Sequence, residues 1–149
     1  MKARALVGVA VALILGWNVF SAAPGGGETS DHESVYAELG KAPEKYRSKP
    51  NPLAKDPDAV AAGNVLFEEH CEDCHGVKAV GGRKAPSLRE KEVQEAPPGA
   101  IFWILTNGVV RKKMPVWSKL PEPERWQLVS YIKSLGPLES ADDKKPVKP

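Results

Sequence analysis

Cys71-Glu72-Asp73-Cys74-His75 is the stretch that decides how this chain is read. Two cysteines three apart, followed at once by a histidine, form the C-x-x-C-H pattern through which c-type haem is attached. The spacing follows from the chemistry. Each thiol adds across one vinyl group of the porphyrin, and the two thioethers fix the macrocycle to the chain. The adjacent imidazole of His75 is then held beneath the iron as its proximal ligand. Cys71 and Cys74 are the 2 cysteines of the chain, so no other thiol competes for them.

Other chemistries use similar residues. A thioredoxin-like redox couple follows a strand in a βαβ pattern, and the sequence shows none. A disulfide between residues this close constrains little chain. Zinc is the stronger rival, because His70, Cys71, Cys74 and His75 offer two thiolates and two imidazoles. Those four occupy one short turn, with no second ligand pair elsewhere to close a tetrahedron across a loop.

Upstream of the motif, Asp56-Pro57-Asp58 reads as a helix start, with a capping acid, a proline in the first turn and a second acid favourable to the dipole. The helix is expected to run to about His70. Val60, Gly63, Phe67 and Cys71 share one face. Glycine inside a helix costs about 1 kcal/mol against alanine, so Gly63 points to a second helix crossing closely there. His70 projects differently from His75 and is read as a surface histidine. Residues 24–53 are polar, rich in Gly and Pro and without periodicity, an extended arm with Tyr46 and Leu53 as anchors onto the domain. His32 in this arm is read as solvated.

Residues 1–23 read as a secretory signal: Lys2 and Arg4, then an apolar run from Ala5 to Phe20 and the small residues Ser21-Ala22-Ala23. The alternative is an uncleaved anchor, although about 16 apolar residues interrupted by Asn18 are short for a span. The formal charge of +2 belongs to this segment. Removing Lys2 and Arg4 from the 21 basic residues leaves 19, equal to the 19 acidic ones. A nucleic-acid partner therefore has no electrostatic support.

Downstream, Gly76 to Lys84 is a loop, and Ala85-Pro86-Ser87-Leu88 a turn that comes back beneath the haem. A histidine bound to iron through one nitrogen usually donates from the other to a carbonyl, and Pro86 is the candidate acceptor. Arg83 and Lys84 either meet a haem propionate or are solvated. Pro97-Pro98-Gly99 opens a helix from Ala100 to about Thr106, with Ile101, Ile104 and Leu105 as its apolar face and Trp103 either against the haem or, the safer reading, in the core. Met114 lies in a polar loop rather than on an apolar face, and it is the only methionine after Met1. It follows His75 by 39 residues with a helix between, enough chain to cross to the other side of the haem. A thioether there completes six-coordination and favours Fe(II). Pro121-Glu122-Pro123-Glu124 starts the last helix, its prolines tolerable only in the first turn. Leu128, Tyr131, Ile132 and Leu135 form its inner stripe, and Gly136-Pro137 stops it. Residues 138–149 read as a disordered tail.

With these residues placed, the chain resembles the class I c-type cytochromes, the bacterial monohaem cytochrome c family. Gly63-x-x-x-Phe67-x-x-x-Cys71 matches the family's N-terminal helix, and Leu128-x-x-Tyr131 its C-terminal one. Thr106-Asn107-Gly108 followed by Met114-Pro115-x-Trp117 is similar to bacterial members in particular. The resemblance covers about residues 54–137, and the arm and tail lie outside it. It implies an all-α cytochrome c fold packed round one covalently attached haem c. It also implies thioethers at Cys71 and Cys74, iron ligation by His75 and Met114, and one-electron transfer rather than catalysis. Haem attachment outside the bacterial cytoplasm, which the resemblance also implies, agrees with a periplasmic or exported protein.

A domain of about 80 residues buries a limited core, so the haem is expected to supply the apolar centre. Redox proteins such as a dehydrogenase, oxidase or reductase are the expected partners, with membrane contact only if the N-terminus stays uncleaved. Arg111, Lys112, Lys113 and Lys119 flank Met114 and either steer an acidic partner or form an ordinary solvated run. Two alternatives to a free carrier stand beside it: a haem-bearing subunit of a larger dehydrogenase or oxidase, and a catalytic or gas-binding haem protein, which requires an open sixth position.

Overall fold

Asp56 starts the longest helix. The computed structural model describes residues 36–138, and in it the Asp56 carboxylate accepts from the Asp58 N–H at 2.9 Å. Pro57 takes the first position, where a missing N–H costs nothing. The short helix α1 precedes it at Glu44–Arg47, and α2 itself spans Pro57–His70. It continues through Cys71 into α3, Glu72–His75. Three more helices follow: α4 at Lys91–Gln94, α5 at Pro98–Asn107 and α6 at Glu122–Ser134. Among the described residues there is no strand, only an isolated antiparallel bridge between Val109 and Met114. The all-α expectation holds.

The crossing of α2 and α6 organises the core. A Cβ added at Gly63 would overlap the Gln127 carbonyl and lie 2.9 Å from Tyr131 Cβ, so the two backbones approach closer there than any side chain permits. Phe67, fully buried, meets the Tyr131 ring at 5.2 Å. Leu128 and Val129 are likewise removed from water. Burying side chains of this kind is worth about 1.5–3 kcal/mol each against leaving them exposed.

Helix α5 packs against α6 through Phe102, which stacks on Trp126 at 4.1 Å. The expected face of Ile101, Ile104 and Leu105 is therefore incomplete. Phe102 is buried, while Ile104 and Trp103 are half-buried. The physical reason is that α5 is covered on two sides, by α6 and by α1. A single apolar stripe cannot describe a helix with two neighbours.

The arm is not extended where the structure describes it. Leu39–Lys41 forms a 3-10 turn, and α1 follows it. Tyr46 and Leu53 do pack against the core, as expected of anchors. Asn51 holds the segment down. Its Nδ2 donates to Ser130 Oγ at 2.8 Å and to the Trp126 carbonyl at 3.4 Å, and its Oδ1 accepts from the Leu53 N–H at 2.8 Å. Ser130 Oγ donates in turn to the Leu53 carbonyl. Ser130 and Trp126 lie far along the chain from Asn51, so composition alone does not announce them. The signal segment, His32 and residues 139–149 of the tail lie outside the described residues. No described helix is long and apolar enough to cross a membrane.

Candidate functional site

Cys71 ends one helix and begins the next. Its N–H donates to the Phe67 carbonyl at 2.8 Å, while its own carbonyl accepts from Cys74 at 3.1 Å and from His75 at 2.9 Å. The motif is thus a single helical turn. Residues three and four apart share a face, so Cys71, Cys74 and His75 project together. Both thiols are free, Cys71 half-buried against the core and Cys74 exposed. Burial, and then the neighbouring Cys74, push the Cys71 thiol up to about 11.

His75 Nδ1 lies 2.9 Å from the Pro86 carbonyl. A carbonyl only accepts, so Nδ1 carries the hydrogen and the lone pair of the neutral ring is left on Nε2. Burial pulls the imidazole below its ordinary pKa, against the opposing effect of the Pro86 bond. The loop presenting Pro86 is folded on itself. Gly81 N–H donates to the His75 carbonyl at 2.7 Å, Leu88 N–H to Ala79 at 2.9 Å, and Ser87 Oγ to the same Ala79 carbonyl. Part of this loop, Val77–Ala79, is a 3-10 turn.

Met114 sits at the foot of a small hairpin. Val109 N–H donates to the Met114 carbonyl at 3.1 Å, and Met114 N–H to the Val109 carbonyl at 3.2 Å. Between them Val110–Lys112 makes a 3-10 turn and Lys113 takes a left-handed conformation. The methionine is half-buried and packs on the same core cluster as Cys71. Trp117 closes the loop. Its N–H donates to the Leu105 carbonyl, and its ring lies 5.2 Å from that of His70. His70 is therefore not a free surface histidine, since it is half-buried against this indole.

The flanking charges are of two kinds. Lys84 pairs with Asp73 at 2.8 Å, an exposed contact that salt and water weaken. Lys112, Lys113 and Lys119 are exposed beside Val110 and Val116, whereas Arg111 pairs with Glu38. The zinc alternative finds no support in the arrangement: among the described residues no three His, Cys, Asp or Glu side chains converge to hold a metal ion. The donor set fits haem better. Two thiols and a neutral imidazole with a free Nε2 share one helical turn, and a thioether is presented by a separate loop. Sequence reasoning gave no role to Tyr36 or Glu38, which touch the Ser87 and Arg111 regions. No local signal marks them, because their partners are remote in sequence.

The model of the family described as cytochrome c oxidase, cbb3-type, subunit III matches residues 58–132. The chain is 31% identical over 114 residues to Cbb3-type cytochrome c oxidase subunit CcoP of Rubrivivax gelatinosus, covering 74% of this chain and 38% of that one. It is 32% identical over 84 residues to quinohemoprotein alcohol dehydrogenase ADH-IIG of Pseudomonas putida, covering 56% of this chain and 11% of that protein. It is 30% identical over 87 residues to subunit FixP of Sinorhizobium medicae, covering 52% and 30% respectively. The chain spans well under half the length of each of these relatives.

Proposed function

Because the chain belongs to the family described as cytochrome c oxidase, cbb3-type, subunit III, we propose that it is a one-electron carrier built on a single haem c. Cys71 and Cys74 would hold the haem covalently, and His75 and Met114 would bind its iron. Bound haem iron supplies a couple between Fe(III) and Fe(II). The protein's part is to keep both axial donors in place. The observation that carries the reading is the His75 Nδ1–H donated to the Pro86 carbonyl, which fixes the ring and leaves Nε2 for the iron. Residues 54–137 form the haem domain. Residues 1–23 direct export to the periplasm, where the haem is attached.

The basic residues Lys112, Lys113 and Lys119 flank Met114 in the sequence and are exposed, as are Val110 and Val116. This face suits an acidic redox partner, with salt-dependent association. A second reading is favoured by the relatives, which are named as subunits of an oxidase or as a quinohaemoprotein dehydrogenase. In it the chain is the haem-bearing electron-transfer part of such a complex rather than a free shuttle. Copurification of the full chain from its native membrane or periplasmic fraction separates the two.

The test of the haem assignment is a pyridine haemochrome spectrum of the full chain matured in an export-competent host. One haem per chain, with both vinyl groups consumed, is expected. Colourless protein, or haem released by acid acetone, overturns the proposal.

A further inference from the structure

Residues 36–41 lie outside the stretch that the family model matches, yet they touch both loops that bear the axial donors. Tyr36 Oη donates to the Ser87 carbonyl at 3.0 Å, one residue beyond the Pro86 carbonyl that receives His75 Nδ1–H. Two residues later, Glu38 forms an ion pair with Arg111, which precedes Met114 by three positions. Lys41 Nζ holds the same carboxylate oxygen at 2.7 Å. Between them Leu39 packs on the core.

These contacts are placed where they matter energetically. Ser87 is 8% exposed, so water cannot readily replace the tyrosine as partner of its carbonyl. Glu38 is also 8% exposed, and a carboxylate so removed from water depends on its cations. Burial, followed by the charges of Glu90 and Glu92, pushes the Tyr36 phenol up to about 12. The hydroxyl therefore remains a donor at neutral pH.

From this juxtaposition we propose that Tyr36 and Glu38 are positioning residues for the two axial ligands. Tyr36 fixes His75 through the Ser87 and Pro86 backbone, and Glu38 fixes Met114 through Arg111. The segment acts as a strap between the loop that presents Pro86 and the loop that presents Met114. The inference rests on the haem ligation proposed above.

The test uses the full haem-loaded chain and two readouts, midpoint potential and the affinity of Fe(III) for added imidazole. Tyr36→Phe keeps the ring and removes one hydroxyl. It shifts the potential and leaves imidazole affinity within twofold of the parent, as expected for a change on the His75 side (about one net hydrogen bond). Glu38→Gln raises imidazole affinity about two- to fivefold, the range of an ion pair whose arginine is exposed and whose carboxylate keeps a second cation in Lys41. Arg111→Gln does the same from the exposed side, so the test survives if Glu38→Gln fails to mature. The double variant is no worse than either single one.

Unchanged potential and unchanged imidazole affinity in all of these, whatever happens to Tm, overturn the proposal. Met114→Ala measured in parallel separates the two levels. If it binds imidazole far more tightly while the strap variants change neither potential nor imidazole affinity, only the strap falls. If Met114→Ala itself changes nothing, the ligation and the strap fall together.

Discussion

Between His75 and Leu88 the backbone closes round buried residues, whereas between Gly108 and Trp117 its bonds support a turn that lies mostly in water. On the histidine side Gly81 bonds back to His75, Gly82 to Ala85 and Leu88 to Ala79, and Ala79 is fully buried. On the methionine side the reciprocal Val109 and Met114 bonds support a turn whose Val110 is 70% exposed. The free energy of local opening is set by such counts of buried contacts and protected hydrogen bonds. His75, next to the thiols, lies beside the more buried loop, and Met114 lies in the more exposed one. Under the haem ligation proposed above, exchange of a ligand would be expected to begin on the methionine side.

Removing what the two sides share has the largest effect. Cys71→Ser with Cys74→Ser is expected to abolish covalent haem altogether, read by haemochrome and by haem stain after denaturing electrophoresis. Met114→Ala comes next. It leaves haem attached, lowers the midpoint potential and opens the iron to carbon monoxide in the reduced protein. An unchanged potential with no gain in ligand binding contradicts the asymmetry between the loops.

A matched pair of glycines sharpens the comparison further. Gly76 (φ 75, ψ 162) follows α3 on the histidine side, and Gly108 (φ 65, ψ −178) follows α5 on the methionine side. Both lie in a region essentially closed to other residues, and an added Cβ would meet the Gly81 carbonyl at 2.8 Å or the Pro115 carbonyl at 2.6 Å. Gly76→Ala and Gly108→Ala should each cost about 1–3 kcal/mol in denaturant unfolding of the haem-loaded protein. Only Gly108→Ala should also tighten binding of added imidazole. Equal effects on imidazole would show the two loops to be equally firm. The smallest change is expected from Lys84→Ala, which removes the exposed partner of Asp73. Its Tm and potential should match those of the parent.

What the sequence made legible follows the range of the interactions. The capping of α2 by Asp56, the buried face through Gly63 and Phe67, and the crossing by α6 were all readable, because each is written in neighbouring residues or in a regular period. The motif Cys71 to His75 was readable as a compact donor set for the same reason. Short helices were not. Lys91–Gln94 drew no prediction, yet Gln94 Nε2 donates to both the Leu88 and Ile132 carbonyls. A helix of one turn is too short to show a period, and its stability comes from such tertiary bonds. The same holds for the arm, whose proline-rich composition suggested extension while Asn51 and its remote partners imposed turns. Phe102 was passed over because its neighbour, Trp126, belongs to another helix.

Asn51 also fixes where the folding unit begins. A polypeptide shortened to residues 58–132 keeps every residue of the family match but discards the amide that reaches Ser130 Oγ and the Trp126 carbonyl. It also uncovers the side of α5 on which α1 rests. Recombinant versions intended for spectroscopy or crystallisation should therefore start ahead of Tyr36. An excision guided by family boundaries alone would sever a clasp that the boundaries do not record.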